Sequence, residues 1–349
     1  MHPTRALALV VALFAALAGA SLPARAETKP EFTLRLHHFL PAVGVEHRGF
    51  LEPWAQRIEA ASDGRIRVEV YPSMQLGGKA PQLYDQARDG VVDIVWTLAG
   101  YTPGRFPRLE VFELPFIASD RGEITSQAIW EYYTTKAADE LADVKVLAVD
   151  THGKGNLFIK GRVVRRPEDL KGVRVRVPSR AINDTLTLIG ASPIGIPAPG
   201  VPEALAKGVV DGVMFPYEVV PAFKVEELTD HVTELMGDRA LYTAVFLFVM
   251  NKASYERLPD DLKKVIDDNS GAALSAEGGR LWDEWDALGR EAIARHNGIV
   301  TLVDGEDLEA WKAATAPVVD QWIKARTEAG DDGAGLVATA RELIAKYSR

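Results

Sequence analysis

Two guanidinium groups set two residues apart suit one kind of chemistry: each is a rigid fork of N–H donors that matches a carboxylate and stays charged at any ordinary pH. They occur in the stretch Leu170-Lys-Gly-Val-Arg-Val-Arg-Val-Pro178, where Val173, Val175 and Val177 alternate with Arg174 and Arg176. That period predicts a strand with valines on a core face and both arginines on the other. Pro178-Ser179 then turns the chain into a helix starting near Arg180. The arginines therefore stand at or near the strand's carboxyl end, the edge where open α/β sheets bind ligands. Arg176 is the first candidate for holding an organic acid. A surface charge, or an ion pair with a nearby acid, is the competing reading for either arginine.

Other chemistries find less support. The absence of cysteine excludes a thiolate metal site, a Cys nucleophile and a disulfide framework together. Gly153-Lys-Gly155 lacks the spacing of a phosphate loop, and neither a dinucleotide fingerprint nor a G-x-S-x-G elbow is present. His37, His38, Glu46 and His47 suggest a metal cluster until strand alternation is applied. His37 and His38 then face opposite ways, so at most one joins His47, and neither a metal nor a cofactor is expected. His38 is instead a candidate donor to a ligand. Glu110 and Glu113, three apart, read as a solvated face. Phe39, Trp96, Phe215 and Tyr217 each fall where a predicted strand finishes, crowding the edge that carries Arg176. An apolar wall with one charged anchor is the composition of a small-molecule pocket, although any one of these rings serves equally well in a core.

The elements that must position these groups read as two similar units. Phe32–Phe39, Arg65–Tyr71 and Val91–Thr97 are predicted strands separated by helices over Gly49–Ala61 and Pro81–Arg88. The order recurs with strands at Val173–Val177, Ser192–Ile196 and Val209–Phe215 and helices at Arg180–Ile189 and Pro202–Lys207. The two even share wording, Ala87-Arg-Asp-Gly-Val-Val-Asp93 and Leu205-Ala-Lys-Gly-Val-Val-Asp211. Such β-α-β-α-β runs with short connections make a mainly parallel sheet with helices on its faces. Strand-like segments at Val144–Asp150, Asn156–Lys160 and Tyr242–Asn251 link the units, so the lobes can hinge about several strands. Asp260 to Asn297 reads as one long helix, bent at Gly278-Gly279. A short strand at Ile299–Val303 and helices to Tyr347 finish the chain.

The 349 residues, 47% hydrophobic and 26% charged, suffice for two domains. Arg5, an apolar run from Ala6 to Ala18, and Ala24-Arg25-Ala26 have the form of a secretory signal cleaved after Ala26. Its removal takes away two arginines and no acid, moving the formal charge from −9 to −11. An acidic chain of this kind disfavours nucleic acid as a partner. With no other run of spanning length, the mature protein is expected to be exported and not embedded in a membrane.

Several phrases together resemble the solute-binding proteins of TRAP (tripartite ATP-independent periplasmic) transporters. They are Tyr71-Pro-Ser-Met-Gln-Leu-Gly77, Asp89-Gly-Val-Val-Asp93, Glu113-Leu-Pro-Phe116, Pro167-Glu-Asp-Leu-Lys-Gly172, Val175-Arg-Val-Pro178, Gly190-Ala-Ser-Pro193, Gly208-Val-Val-Asp-Gly212 and Asn251 through Leu258-Pro259. The resemblance runs over nearly the whole mature chain in the family's order. It implies a two-lobe periplasmic binding protein fold of class α/β, each lobe a mainly parallel sheet flanked by helices, the lobes linked by strands and a long helix. On that plan residues 27–152 with 242–280 form lobe I and 153–241 with 281–349 form lobe II, the long helix 260–297 spanning both. It further implies a non-enzymatic periplasmic receptor that closes on an organic acid and delivers it to the membrane subunits of a TRAP carrier. The family's ligand arginine falls on Arg176, and Tyr101-Thr-Pro-Gly-Arg-Phe-Pro107 resembles a loop that lies against the cleft. The candidate contacts are thus Arg176, Phe215, Trp96, His38, Phe39, Tyr217, Tyr101 and Asn156. The sialic-acid branch carries a second arginine near Gly155 and an asparagine in place of Phe215, and this sequence has neither. An aromatic or otherwise apolar monocarboxylate, or a 2-oxo acid, is therefore expected over a hydroxylated sugar acid. The alternatives are the binding protein of an ATP-driven importer, an exported enzyme acting on the acid, and an exported sensor.

Overall fold

The computed structural model describes residues 29–349, and the expected signal segment 1–26 lies outside them. Two units of the same construction dominate. In the first, β1 (Phe32–His38) lies between β2 (Ile66–Tyr71) and β3 (Ile94–Leu98), all parallel. In the second, β6 (Arg174–Val177) lies between β7 (Ser192–Gly195) and β8 (Gly212–Phe215), again all parallel. Even the register repeats: His37 stands opposite Val95 in one unit and Arg176 opposite Val213 in the other. The shared phrase explains why. Gly90 and Gly208 adopt φ of 74° and 66°, the left-handed conformation that ends a helix without a Cβ clash. Asp93 and Asp211, three residues on, each accept the backbone N–H of the central strand, from Arg35 at 2.9 Å and Arg174 at 3.1 Å.

Five more strands complete the sheets: β4 (Val144–Thr151), β5 (Asn156–Ile159), β9 (His231–Leu235), β10 (Val245–Asn251) and β11 (Ile299–Val303). The first sheet has the order β2-β1-β3-β10-β4 and the second β11-β9-β5-β8-β6-β7. Each is parallel except for one reversed strand, β10 in the first and β5 in the second. These are the two strands at which the chain enters a lobe from the other lobe. Parallel strands finish at the cleft edge, so a strand entering from the cleft must run backwards. The sheets are accordingly mainly parallel, as expected, each with one reversed strand.

The segment expected as one helix from Asp260 to Asn297 is two, Asp260–Asp268 and Ala272–Arg295, broken at Gly271, whose φ is 87°. Gly278-Gly279 lies inside the uninterrupted helix Ala272–Arg295. These glycines lie where the long helix presses on the first lobe: a Cβ at Gly279 would overlap Gly122 O and Ser126 Oγ, and one at Gly278 would come within 2.9 Å of Asp150 Oδ2. Farther along, Gly289 admits the backbone of Tyr217 from the second lobe. One helix therefore braces both lobes. Helix Gly333–Tyr347 returns to the first lobe, packing on helix Gly122–Tyr132, where Lys346 Nζ and the Tyr347 hydroxyl donate to Glu131 Oε2 at 2.5 and 2.6 Å. A continuous apolar cluster runs through both lobes, and a second fills the far side of the six-stranded sheet. Among the described residues no helix is long and apolar enough to cross a membrane.

Candidate functional site

Alternation along β6 buries Val175 and Val177 on one face and sends Arg174 and Arg176 to the other. Their fates then diverge. Arg174 sits at the outer end, half exposed, and grips Asp211 through Nε (3.0 Å) and Nη2 (2.6 Å). Arg176, one pleat nearer the cleft, is 1% exposed. Its Nε donates to Ile196 O at 2.7 Å and Nη1 to Met214 O at 3.0 Å, carbonyls at the ends of the flanking strands. Its guanidinium carbon lies 4.5 Å from the centre of the Phe215 ring. Among the described residues no carboxylate lies within ion-pair distance of it. Burial pulls its pKa down, as expected for a cation out of water without a counter-ion. Such a charge is costly to bury without a counter-ion.

The space in front of Arg176 is walled from both lobes. Phe39 follows β1, Trp96 lies within β3 and Tyr101 just beyond it, whereas Phe215 ends β8 and Val219 and Phe223 follow. Trp96 stacks on Phe246 at 4.4 Å and on Phe39 at 5.4 Å, and Phe246 stacks on Trp282 of the long helix at 5.0 Å. The empty space among these side chains is about 360 Å³. The shape is a narrow slot. A wider groove, about 760 Å³ by the same measure, opens beside it, between Pro81, Tyr101 and Pro103 on one lobe and Ser179, Asn183 and Pro197 on the other.

The lobes touch around the slot. The Tyr101 hydroxyl accepts the Ala198 N–H at 2.8 Å, and Arg180 pairs with Glu110. Gly100 lies so close to Ser179 that a Cβ would stand 2.5 Å from the serine Cβ. Glu110 and Glu113, expected on a solvated face, are thus buried. Glu113 Oε1 accepts Val245 N–H at 3.0 Å, and burial raises its pKa to about 7.

Of the predicted residues, Arg176, Phe39, Trp96, Tyr101 and Phe215 surround the slot, and three do not. His38 turns away: its Nε2 meets His47 Nδ1 at 2.9 Å, its Nδ1 accepts Leu40 N–H at 3.2 Å, and burial lowers its pKa to about 3. Tyr217 packs edge-on against Phe158, with its hydroxyl 3.4 Å from Glu234 Oε2 and Arg290 over its ring. Asn156 is buried in β5 and donates to Lys154 O at 3.3 Å. Sequence reasoning missed His152, Tyr242 and Phe246 on the linking segments, and Trp282 on the long helix. His152 is a neutral wall: Nδ1 donates to Gly153 O at 2.7 Å, Nε2 accepts Ala244 N–H at 3.1 Å, and burial lowers its pKa to about 4. Buried carboxyls also gather nearby. Asp150 accepts the Trp282 indole N–H at 3.1 Å, and burial raises Glu46 and Asp150 to about 7 and Glu218 well above the usual range.

Comparison with known proteins agrees with this geometry. The family model described as bacterial extracellular solute-binding protein, family 7, matches residues 36–325. A marine metagenome TRAP solute binding protein, described as specific for aromatic acid ligands and solved with metahydroxyphenylacetate, is 49% identical with a TM-score of 0.89, the match covering 91% of this chain and 100% of that one. A TRAP solute binding protein from Rhodoferax ferrireducens, solved with copurified benzoate, is 46% identical with a TM-score of 0.89, covering 90% and 98%. One from Bordetella bronchiseptica, with (R)- and (S)-mandelate bound, is 31% identical with a TM-score of 0.83, covering 90% and 99%. The chain belongs to family 7 of the bacterial extracellular solute-binding proteins and is an organic-acid receptor of the TRAP transporter type.

Proposed function

We propose that this receptor takes up a flat aromatic monocarboxylate in the periplasm, reached through the signal segment at residues 1–26, and passes it unaltered to the membrane subunits of its carrier. The observation that carries the reading is the buried Arg176 guanidinium, without an acidic partner, at one end of a slot walled by stacked aromatic rings. A carboxylate supplies the missing charge through a bidentate pair, and a ring attached to it packs against the aromatic wall. Closure is favoured because Phe39, Trp96 and Tyr101 come from one lobe and Arg176 and Phe215 from the other, so only a ligand between them gains all the contacts. The aromatic acids bound by the three relatives support the same class.

The test is calorimetric titration of the mature protein with benzoate, 3-hydroxybenzoate, mandelate, pyruvate and sialate. Micromolar or tighter binding of at least one aromatic acid, with pyruvate and sialate weaker, is the expected result. Sialate or pyruvate binding more tightly than every aromatic acid would overturn the reading.

A further inference from the structure

Two of the chain's crossings between the lobes run side by side: Gly155 N–H donates to Tyr242 O at 3.0 Å. The Tyr242 ring lies flat on the glycine. A Cβ at position 155 would overlap its Cε1, Cζ and Cδ1. Gly155 does not have a positive φ, so glycine is required there for the space the ring occupies and not for the backbone conformation. On another side the neutral His152 ring meets Tyr242 edge-on at 5.4 Å. The phenol is thereby fixed with little rotational freedom.

Its hydroxyl end is the unusual part. Tyr242 is 1% exposed and lines the slot together with Arg176, whose charge acts on the phenol. Among the described residues the Tyr242 hydroxyl has no hydrogen-bond partner. Of its neighbours in the wall, Tyr101 accepts Ala198 N–H, both His152 nitrogens are bonded and the Trp282 indole donates to Asp150, while the Trp96 indole N–H is buried without a partner. Of these groups, the Tyr242 hydroxyl is the one whose phenol feels the Arg176 charge while its own O–H has no acceptor. An immobilised O–H beside an uncompensated guanidinium matches the second oxygen of a carboxylate.

We propose that Tyr242, held in place by Gly155 and His152, is a second donor to the ligand carboxylate and a determinant of the receptor's preference for a carboxylate at this end of the slot. The inference rests on the carboxylate reading given above. Binding of benzoate to the mature wild-type protein, Tyr242→Phe and Gly155→Ala tests it by calorimetry, with the melting temperature of each ligand-free protein recorded alongside. Loss of one charge-assisted hydrogen bond predicts that Tyr242→Phe binds benzoate about ten- to a hundred-fold more weakly while its ligand-free melting temperature stays near that of the wild type. Gly155→Ala is expected to lose affinity through displacement of the ring, and adding it to Tyr242→Phe should cost less than the two separate losses combined. Wild-type affinity in Tyr242→Phe overturns this inference alone. A melting temperature that falls in step with affinity assigns the residue a structural role and overturns it equally. Failure of the wild type to bind any monocarboxylate overturns the underlying reading instead.

Discussion

The two β-α-β-α-β units solve the same local problem and then part at a single position. In both, an aspartate at the end of the shared phrase ties down the central strand, at Arg35 in the first lobe and Arg174 in the second. Two residues on, in matching register, the first lobe has His37 and the second Arg176. His37 is satisfied within its own lobe: Nδ1 meets Gln86 Oε1 at 2.7 Å and Nε2 accepts Leu76 N–H at 3.3 Å. Arg176 has two carbonyls and an aromatic face but no acid. One scaffold thus yields a strand end whose ring nitrogens are paired within the lobe and another that carries a buried charge with no acid beside it. The difference is chemical and not topological: a neutral imidazole can be buried with two hydrogen bonds, whereas a guanidinium keeps its charge.

The largest expected effect comes from removing that difference. Arg176→Ala should weaken binding of the preferred acid by roughly 2–5 kcal/mol, thirty-fold to several-thousand-fold, and Arg176→Lys should also bind poorly because an ammonium lacks the planar fork. The same truncation removes an unpaired buried charge, so the ligand-free protein should lose little stability. Calorimetry and thermal melting on one preparation separate the two. Near-native affinity in Arg176→Ala would erase the distinction between the lobes.

The histidine side of the comparison can be probed with pH. Burial holds His37 below its ordinary value of 6.5, His38 at about 3 and His152 at about 4. The unfolded chain takes up protons at these positions below about pH 6.5 and the folded chain does not, so their contribution is lost as pH falls from there. The buried carboxyls act oppositely. Glu46, Glu113 and Asp150, raised by burial to about 7, keep protons that the unfolded chain has already released, and their contribution declines as pH rises towards 7. Each group changes stability by about 1.4 kcal/mol per pH unit within its window. The two sets oppose each other between about pH 4.5 and 6.5, and only one acts on either side. Ligand-free melting temperature should therefore be highest within that range and fall towards pH 8 and towards pH 3.5. Glu46→Gln should flatten the alkaline limb and His38→Gln the acid limb. A melting temperature that rises steadily from pH 6 to 8 would contradict the burial of these acids.

What the sequence disclosed follows the same division. Alternating valines placed Arg176, and strand ends placed Phe39, Trp96 and Phe215, because period and position within one element are local properties. Being at an edge does not fix which way a side chain points, however. Tyr217 satisfied the strand-end criterion and His38 was a candidate donor to a ligand, yet they turn to Glu234 and His47. Tyr242, His152 and Phe246 lie on the crossings, and their approach to the slot depends on how two distant segments pair, which no local pattern records. Gly155, between Lys154 and Asn156, was visible in the sequence, but its reason, a ring from residue 242, was not. At Gly278-Gly279 the packing adds what the sequence could not show: a glycine pair within a helix suits a bend or a close approach, and the neighbours Asp150, Gly122 and Ser126 reveal the approach.

The smallest effect bears on the part the two units share. Asp93 is buried and accepts from Arg35 N–H, the Ser254 hydroxyl at 2.6 Å and Arg257 Nη2 at 3.0 Å, whereas Asp211 is more exposed and serves Arg174 alone. Asp93→Ala leaves several donors without an acceptor and should cost about 1–3 kcal/mol of stability. Asp211→Ala breaks a surface pair worth about 0–1 kcal/mol. Neither aspartate lines the slot, so ligand affinity should hold in both variants. Urea unfolding and calorimetry would reveal the ordering. If Asp211→Ala weakened the ligand as much as Arg176→Lys, then the outer end of β6 would be setting the position of the inner one, and the two arginines would have to be treated as a single device.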